Sequence, residues 1–254
     1  MVLSLPSKFR KMTADIFIRS YWKDLEWLQA CVASIQKYCE GFRDVVVTLP
    51  HSSQAWLRRS PLPAGIRVEF CDDYRDDYLG QQVTKLQADT FTDADYICHV
   101  DADCIFYRRT TPQDFILDGR PRILKQRRDL IPQEWPWRKP VEKFLGFQLL
   151  YDFMRQPPFV FPRWLYPEVR EHCLSLHKLE LAAYVVSQPA RGFSEFNVLG
   201  ALAWQRHHQS FVWIDAAGQP TVEPHCRWYW SWGGMDASIK AEIANILDDS
   251  FVRA

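Results

Sequence analysis

Two periodicities alternate over the first 110 residues. "ADIFIRSY" (14–21) is a short, almost unbroken apolar run of strand length, and "KDLEWLQACVASIQKY" behind it sets Leu25, Leu28, Val32 and Ile35 on one helical face, with Gly41 as its stop signal. The rhythm repeats. "RDVVVTLP" (43–50), "GIRVEF" (65–70) and "ADYICHV" (94–100) predict strands, while "SSQAWLRR" predicts a short helix and "GQQVTKLQADTF" (80–91) a longer one. Strand and helix taking turns, with β-branched apolar strands, predicts a mainly parallel sheet covered on both faces. The span of about 12–110 therefore reads as the nucleotide-binding half of an α/β domain.

Beyond residue 110 the pattern loosens. "RRTTPQDFILDGRPRILKQRRDLIPQEWPWRKP" predicts a strand near 121–126 and then a mobile loop. "KFLGFQLLYDFM" and "YPEVREHCLSLH" are helical in pattern, and "SEFNVLGALAWQRHH" (194–208) predicts a helix opening at Ser194. The tail predicts a short aromatic strand, a Gly-Gly turn and an amphipathic helix with Ile239, Ile243 and Ile246 on one side. Without repeats or low-complexity tracts, the 254 residues read as one domain, 1–254, whose second half (about 111–254) is helical and aromatic.

Composition narrows the function classes. A content of 47% hydrophobic and 15% aromatic residues supports one sizeable core. Lys plus Arg equals Asp plus Glu at 31 each, so affinity for nucleic acid or an anionic membrane would need a local patch. Seven cysteines (Cys31, Cys39, Cys71, Cys98, Cys104, Cys173 and Cys226) form no C-x-x-C pair and are odd in number. That usage predicts thiols in a reducing, cytoplasmic compartment. No stretch approaches the roughly 20 apolar residues of a membrane span, and the amino-terminal segment does not read as a cleaved export signal.

The candidate chemistry centres on "ADYICHVDADCIFYRR" (94–109), where an apolar run stops at two aspartates and then resumes. In an extended strand Asp101 and Asp103 project to one face while Ala102 points away. At the carboxyl edge of a parallel sheet, where open α/β folds bind ligands, two hard oxygen ligands suit Mg²⁺ or Mn²⁺ held jointly with phosphates. D-x-D triplets are also ordinary in turns and on solvated edges, but those rarely carry apolar runs on both sides.

On these residues the chain resembles glycosyltransferases of the GT-A type. "IFIRSYWKDLEWLQACVASIQKY" is similar to their opening strand and helix, "GQQVTKLQAD" to the helix before the motif and "HVDADCIF" to the motif strand. "DFMRQPPFVFPRWLYPEVREH" and "GFSEFNVLGALAW" resemble later segments of bacterial and viral members. The resemblance implies a Rossmann-like single domain, a nucleotide-sugar donor (a UDP-sugar first), Mn²⁺ or Mg²⁺ on Asp101 and Asp103, and transfer to an acceptor hydroxyl. It also implies a donor base and ribose near Ser20 and Tyr21, with Tyr21 or Trp22 stacking on the base, and a general base or acceptor ligand at Glu195. Asp236 is the second candidate base and His225 a third metal ligand. Lys85 lies four residues after Gln81, so both can face the donor from one helix face, Lys85 as a point charge.

Each residue also has a plainer reading: Lys85 as a solvated lysine, Tyr21 as a core cap, Glu195 as a first-turn acid favoured by the helix dipole, His225 as a satisfied histidine. Trp228, Trp230 and Trp232 alternate, so on a strand they would share one face, either a sugar-packing wall or bulky core. The segment 120–139 carries Arg120, Arg122, Lys125, Arg127, Arg128, Arg138 and Lys139 with Trp135 and Trp137 interleaved. It could hold a diphosphate, flap over the site or track DNA bearing a hydroxymethylated pyrimidine acceptor. Three rivals remain. A sugar nucleotidyltransferase would want a glycine-rich loop that "FIRSYWKDLEW" lacks; a D-x-D phosphatase would carry its pair after the first strand; a carbohydrate- or nucleotide-binding protein of the same fold would lack turnover.

Overall fold

The computed structural model describes residues 12–217 and 222–248. Residues 1–11, on which part of the reading of the amino-terminal segment rests, lie outside the described residues. The first half follows the predicted alternation: β1 (Ala14–Arg19), α1 (Leu25–Tyr38), β2 (Val45–Pro50), α2 (Gln54–Arg59), β3 (Arg67–Cys71), α3 (Asp77–Leu86) and β4 (Tyr96–His99). The second half runs β5 (Cys104–Phe106), β6 (Ile116–Leu117), β7 (Arg120–Arg127), α4 (Arg138–Leu145), β8 (Tyr151–Asp152), β9 (Phe159–Pro162) and α5 (Leu165–His177). It ends with α6 (Leu181–Val186), α7 (Glu195–Arg206), β10 (Val212–Asp215), β11 (Cys226–Trp228) and α8 (Ala237–Leu247).

The central sheet has the order β3-β2-β1-β4-β9. Its first four strands are parallel and β9 is an antiparallel edge. The chain lays β2 and β3 to one side of β1 and then returns to place β4 on the other. Strand order thus reverses between β1 and β4, and the crevice beyond their carboxyl ends is the topological switch point where such sheets bind ligands.

Both faces of this sheet are covered because its strands are apolar on both faces. All six residues of β1 are buried. Ile16 and Ile18 pack with Leu28, Val32 and Ile35 of α1 and Ile243 of α8. Phe17 points the other way, into a cluster with Val83 and Leu86 of α3, Phe161 of β9 and Phe196 of α7. Burying each such side chain contributes about 1.5–3 kcal/mol before entropy is counted. Both clusters draw on both halves of the chain. A second sheet, β10-β7-β6 with β8 on β7, and the pair β11-β5 complete the fold.

Two expectations are corrected, and one strand was not foreseen. The helical pattern over 143–154 splits, because Gly146 takes φ 75° as a left-handed cap on α4 and the following residues reach β7, where Tyr151 pairs with Arg127. The stretch after β7 is anchored, with Trp137 3% exposed in the core. Strand β9 was hidden by Pro157 and Pro158 before it and by Pro162 at its end, the last tolerated because β9 is an edge strand. Among the described residues no helix is long and apolar enough to cross a membrane, and all seven cysteines are free thiols.

Candidate active site

Strand β1 delivers Arg19 to the switch point, and β4 ends at His99 just before the aspartates. Asp101 and Asp103 are therefore not in an extended strand. They sit in a turn, closed by the Cys104 amide donating to the Asp101 carbonyl at 3.0 Å, after which β5 begins. This turn, rather than strand alternation, brings both carboxylates to one cavity of about 220 Å³, and Ala102 reaches its wall as well.

Helix α3 forms one side, presenting Tyr78, Gln81, Gln82 and Lys85 at helical spacing. Lys85 Nζ donates to Asp101 Oδ1 at 2.5 Å and to Glu195 Oε1 at 2.9 Å, with both Lys85 and Glu195 almost fully buried. Burial works to lower the lysine's pKa, but Asp101 and Glu195 outweigh it and hold the ammonium charged well above its ordinary range. Burial raises the Glu195 pKa; Lys85 opposes this and Asp101 reinforces it. Glu195 opens α7, and Gln82 Oε1 accepts its backbone amide at 2.9 Å, satisfying a donor that the helix cannot. The Phe196 ring lies under Lys85 Nζ at 4.9 Å.

Asp103 is held by different partners. Its Oδ2 accepts from the Ser231 amide at 2.7 Å and its carbonyl from the Tyr229 amide at 3.1 Å, while Oδ1 is buried with no partner among the described residues. Burial first, then Asp101, pushes the Asp103 carboxyl up to about 6, against the Ser231 amide. Asp24 is likewise pushed up to about 6, by burial and then by Asp103 and Asp77, with Arg19 opposing. Arg19 holds Asp77 with a two-pronged pair at 2.7 and 2.5 Å.

The segment tied down by Asp103 is the tryptophan wall. β11 ends at Trp228 and Trp230 adopts φ 58°, so the three tryptophans do not alternate along a strand, yet all line the cavity. Trp228 and Trp230 stack at 4.4 Å and Trp232 meets Trp230 edge-on at 6.1 Å. Arg191 lies 3.8 Å over the Trp232 ring, and Trp135 and Trp137 also line the cavity.

Asp101, Asp103, Lys85, Gln81 and Glu195 are thus brought together. Ser20 and Tyr21 follow Arg19 at the strand end but do not line the cavity; the Ser20 amide bonds the Thr48 carbonyl, and Trp22 stacks on Trp56 at 4.9 Å. Asp236 is not brought to the cavity: it is exposed and caps α8, accepting from the Ile239 amide at 2.8 Å. His225 is not brought to the cavity either. The antiparallel register pairs Trp228 with Cys104 and Cys226 with Phe106, so it is Trp228 that reaches the motif end of β5. His225 lies beyond the other end, bonded to Thr110 Oγ1 at 3.0 Å and edge-on to Phe115.

Arg19, Asp24 and Arg191 were missed. Asp24 resembles an ordinary helix cap in sequence, but its side chain makes no cap bond and it lines the cavity instead. In the basic segment most charges are answered locally: Arg127 by Asp129, Arg138 by Glu134 and Glu142, Lys125 by the rings of Tyr151 and Trp204, Arg122 by the Asp114 carbonyl.

Among the described residues no group of three or more His, Cys, Asp or Glu is arranged to hold a metal. Two adjacent carboxylates, one with an orphaned buried oxygen, nevertheless fit a divalent cation that takes its remaining ligands from phosphate and water. Four carboxylates (Asp24, Asp101, Asp103, Glu195) against three cations (Arg19, Lys85, Arg191) leave the cavity room for positive charge.

Fold and site together define an α/β protein with a mostly parallel, Rossmann-compatible sheet and a charged, tryptophan-walled cavity at its switch point. The chain belongs to the DUF6492 family, a family of unknown function, whose sequence profile matches residues 30–231. That span takes in Lys85, Asp101, Asp103 and Glu195 but not Arg19, Asp24 or Trp232. No curated protein matches the sequence.

Proposed function

We propose that the chain is a GT-A-type glycosyltransferase that moves a sugar from a nucleotide-sugar donor, a UDP-sugar first, to an acceptor hydroxyl. The observation that carries this reading is the Asp101–Asp103 turn at the switch point, with its orphaned carboxylate oxygen, facing a wall of tryptophans. Asp101 and Asp103 would hold Mg²⁺ or Mn²⁺, which supplies charge neutralisation for the leaving nucleotide. Trp228, Trp230 and Trp232 offer flat apolar faces to the C–H faces of a sugar. Glu195, made more basic by burial, takes or orients the acceptor proton, and Lys85 fixes its position. The balance of Lys plus Arg against Asp plus Glu at 31 each favours a glycan or small-molecule acceptor over DNA. Seven free thiols fit a reducing, cytoplasmic setting.

The Lys85–Asp101 bond favours the rival reading, binding without turnover, because a lysine already occupies one motif oxygen. A turnover assay separates the two. Protein is incubated with a panel of UDP-, GDP- and ADP-sugars and Mn²⁺ or Mg²⁺, and free nucleoside diphosphate is followed. Cation-dependent release from one donor, reduced about 100-fold or more (about 2.7 kcal/mol) in Glu195→Gln, is expected. Folded protein that releases nothing from any donor would leave the binding reading.

A further inference from the structure

Arg128 begins the short turn after β7 and is only 6% exposed. Its amide donates to the Leu150 carbonyl at 3.0 Å and its Nη2 to the Gln133 carbonyl at 3.3 Å. Nε and Nη1 have no partner, and no carboxylate of the described residues lies within ion-pair distance of it. A guanidinium is almost never buried in this way without an anion, because the desolvation it suffers is several kcal/mol. The proposed transfer gives this residue no role.

What lies beside Arg128 accounts for it. The side chain borders a trough of about 570 Å³ whose rim carries Arg127 and Arg138. Those two are engaged only with Asp129 and with Glu134 and Glu142, in partly or fully exposed pairs that are individually weak and open to exchange. Three arginines thus line one hollow together with two carboxylates, Asp129 and Glu134, and the unpartnered Nε and Nη1 of Arg128 lie buried beneath its surface. Planar forks of this kind match the oxygens of a tetrahedral oxyanion better than ammonium groups do. The trough is not the sugar cavity, but the two share a wall. The loop 131–137 turns Ile131 and Glu134 to the trough and Trp135 and Trp137 to the cavity.

We propose that this trough is a binding site for a phosphate-type oxyanion, with Arg128 as its buried anchor and Arg127 and Arg138 as its rim. The site does not depend on the sugar-transfer reading. Where both hold, a phosphorylated acceptor would sit one loop's thickness from the tryptophan wall.

The test is thermal unfolding in inorganic phosphate against sodium chloride at matched ionic strength, for wild type, Asp101→Asn, Arg128→Met and the double variant Arg127→Ala/Arg138→Ala. Phosphate should raise the melting temperature of wild type and of Asp101→Asn alike. Arg128→Met should lose the response while melting no lower than wild type without phosphate, since it removes an unneutralised buried cation and keeps an apolar stem. The rim variant should fold normally and need several-fold more phosphate. A hexose phosphate and a single-stranded oligonucleotide, run alongside, identify the source of the oxyanion by which of them gives an Arg128-dependent shift. An Arg128→Met protein that responds as wild type does, or that fails to fold, would overturn the proposal, the latter by making Arg128 a structural residue. So would a rim variant with an unchanged phosphate response or a wild type with none.

Discussion

The Asp103 carboxylate receives the Ser231 backbone amide at 2.7 Å, across 128 residues of chain. One oxygen of the motif is thereby committed to holding the tryptophan wall, and the other faces burial alone. Asp103 therefore has two separable roles. Asp103→Ala should leave the Ser231 amide without its acceptor and cost about 1–3 kcal/mol. Asp103→Asn, whose carboxamide oxygen can still accept, should melt near wild type and yet lose any response to Mn²⁺. Melting curves with and without Mn²⁺ check both, and equal stability of the two variants would remove the tether.

Lys85 neutralises two carboxylates that come from distant parts of the chain. Replacing it by Met should strand Glu195 in the interior and destabilise the protein by about 3–5 kcal/mol. Adding Glu195→Gln should recover part of that loss, giving a coupling of roughly 0.5–3 kcal/mol in a double-mutant cycle read by denaturant unfolding. Additive losses would show that the three groups do not act as a unit.

Asp24 carries a pH signature. Its folded pKa of about 6 lies above the usual carboxylate value near 4, so the folded state binds the proton more tightly. The stabilising contribution is fully present below about pH 4 and is lost as pH rises from there through about 6, beyond which it stays lost. Asp24→Asn should accordingly gain on wild type between about pH 4 and about pH 6 and hold that gain above it, measured as the difference in melting temperature. A difference that stays constant with pH contradicts the burial-driven shift.

How much of this was open to sequence reading depends on the range of the interaction. The strands β1 to β4 were legible because Ile16, Val47 and Ile97 sit in runs too apolar and β-branched for anything but a buried sheet. The aspartate pair was legible as a motif, although the turn that makes it converge was not. Lys85 and Glu195 were each named for a different reason; that they touch across 110 residues is a tertiary fact. That β11 brings Trp228 rather than His225 to the motif end was not legible, because the register of β11 on β5 leaves no mark on local periodicity. Asp24 and Arg191 were missed because nearby sequence explains them as a cap and a loop charge.

Trp232 is 66% exposed, so truncating it should barely touch the fold. Trp232→Ala should stay within about 0.5 kcal/mol of wild type in stability. Binding is another matter: under the proposed transfer, the KM for the nucleotide-sugar donor should rise about tenfold, or roughly 1.4 kcal/mol, with kcat less affected. An unchanged KM would make the outer tryptophan a bystander.

In the proposed function Asp101 and Asp103 join a cation to a nucleotide's phosphates, and calorimetric titration of UDP, GDP and ADP into wild type and Asp101→Asn, each with and without Mn²⁺, tests this most directly. One nucleotide should bind wild type only when Mn²⁺ is present, and Asp101→Asn should weaken this binding at least about 100-fold (about 2.7 kcal/mol) while melting cooperatively. A nucleotide bound equally well without Mn²⁺, or equally well by the variant, would contradict it.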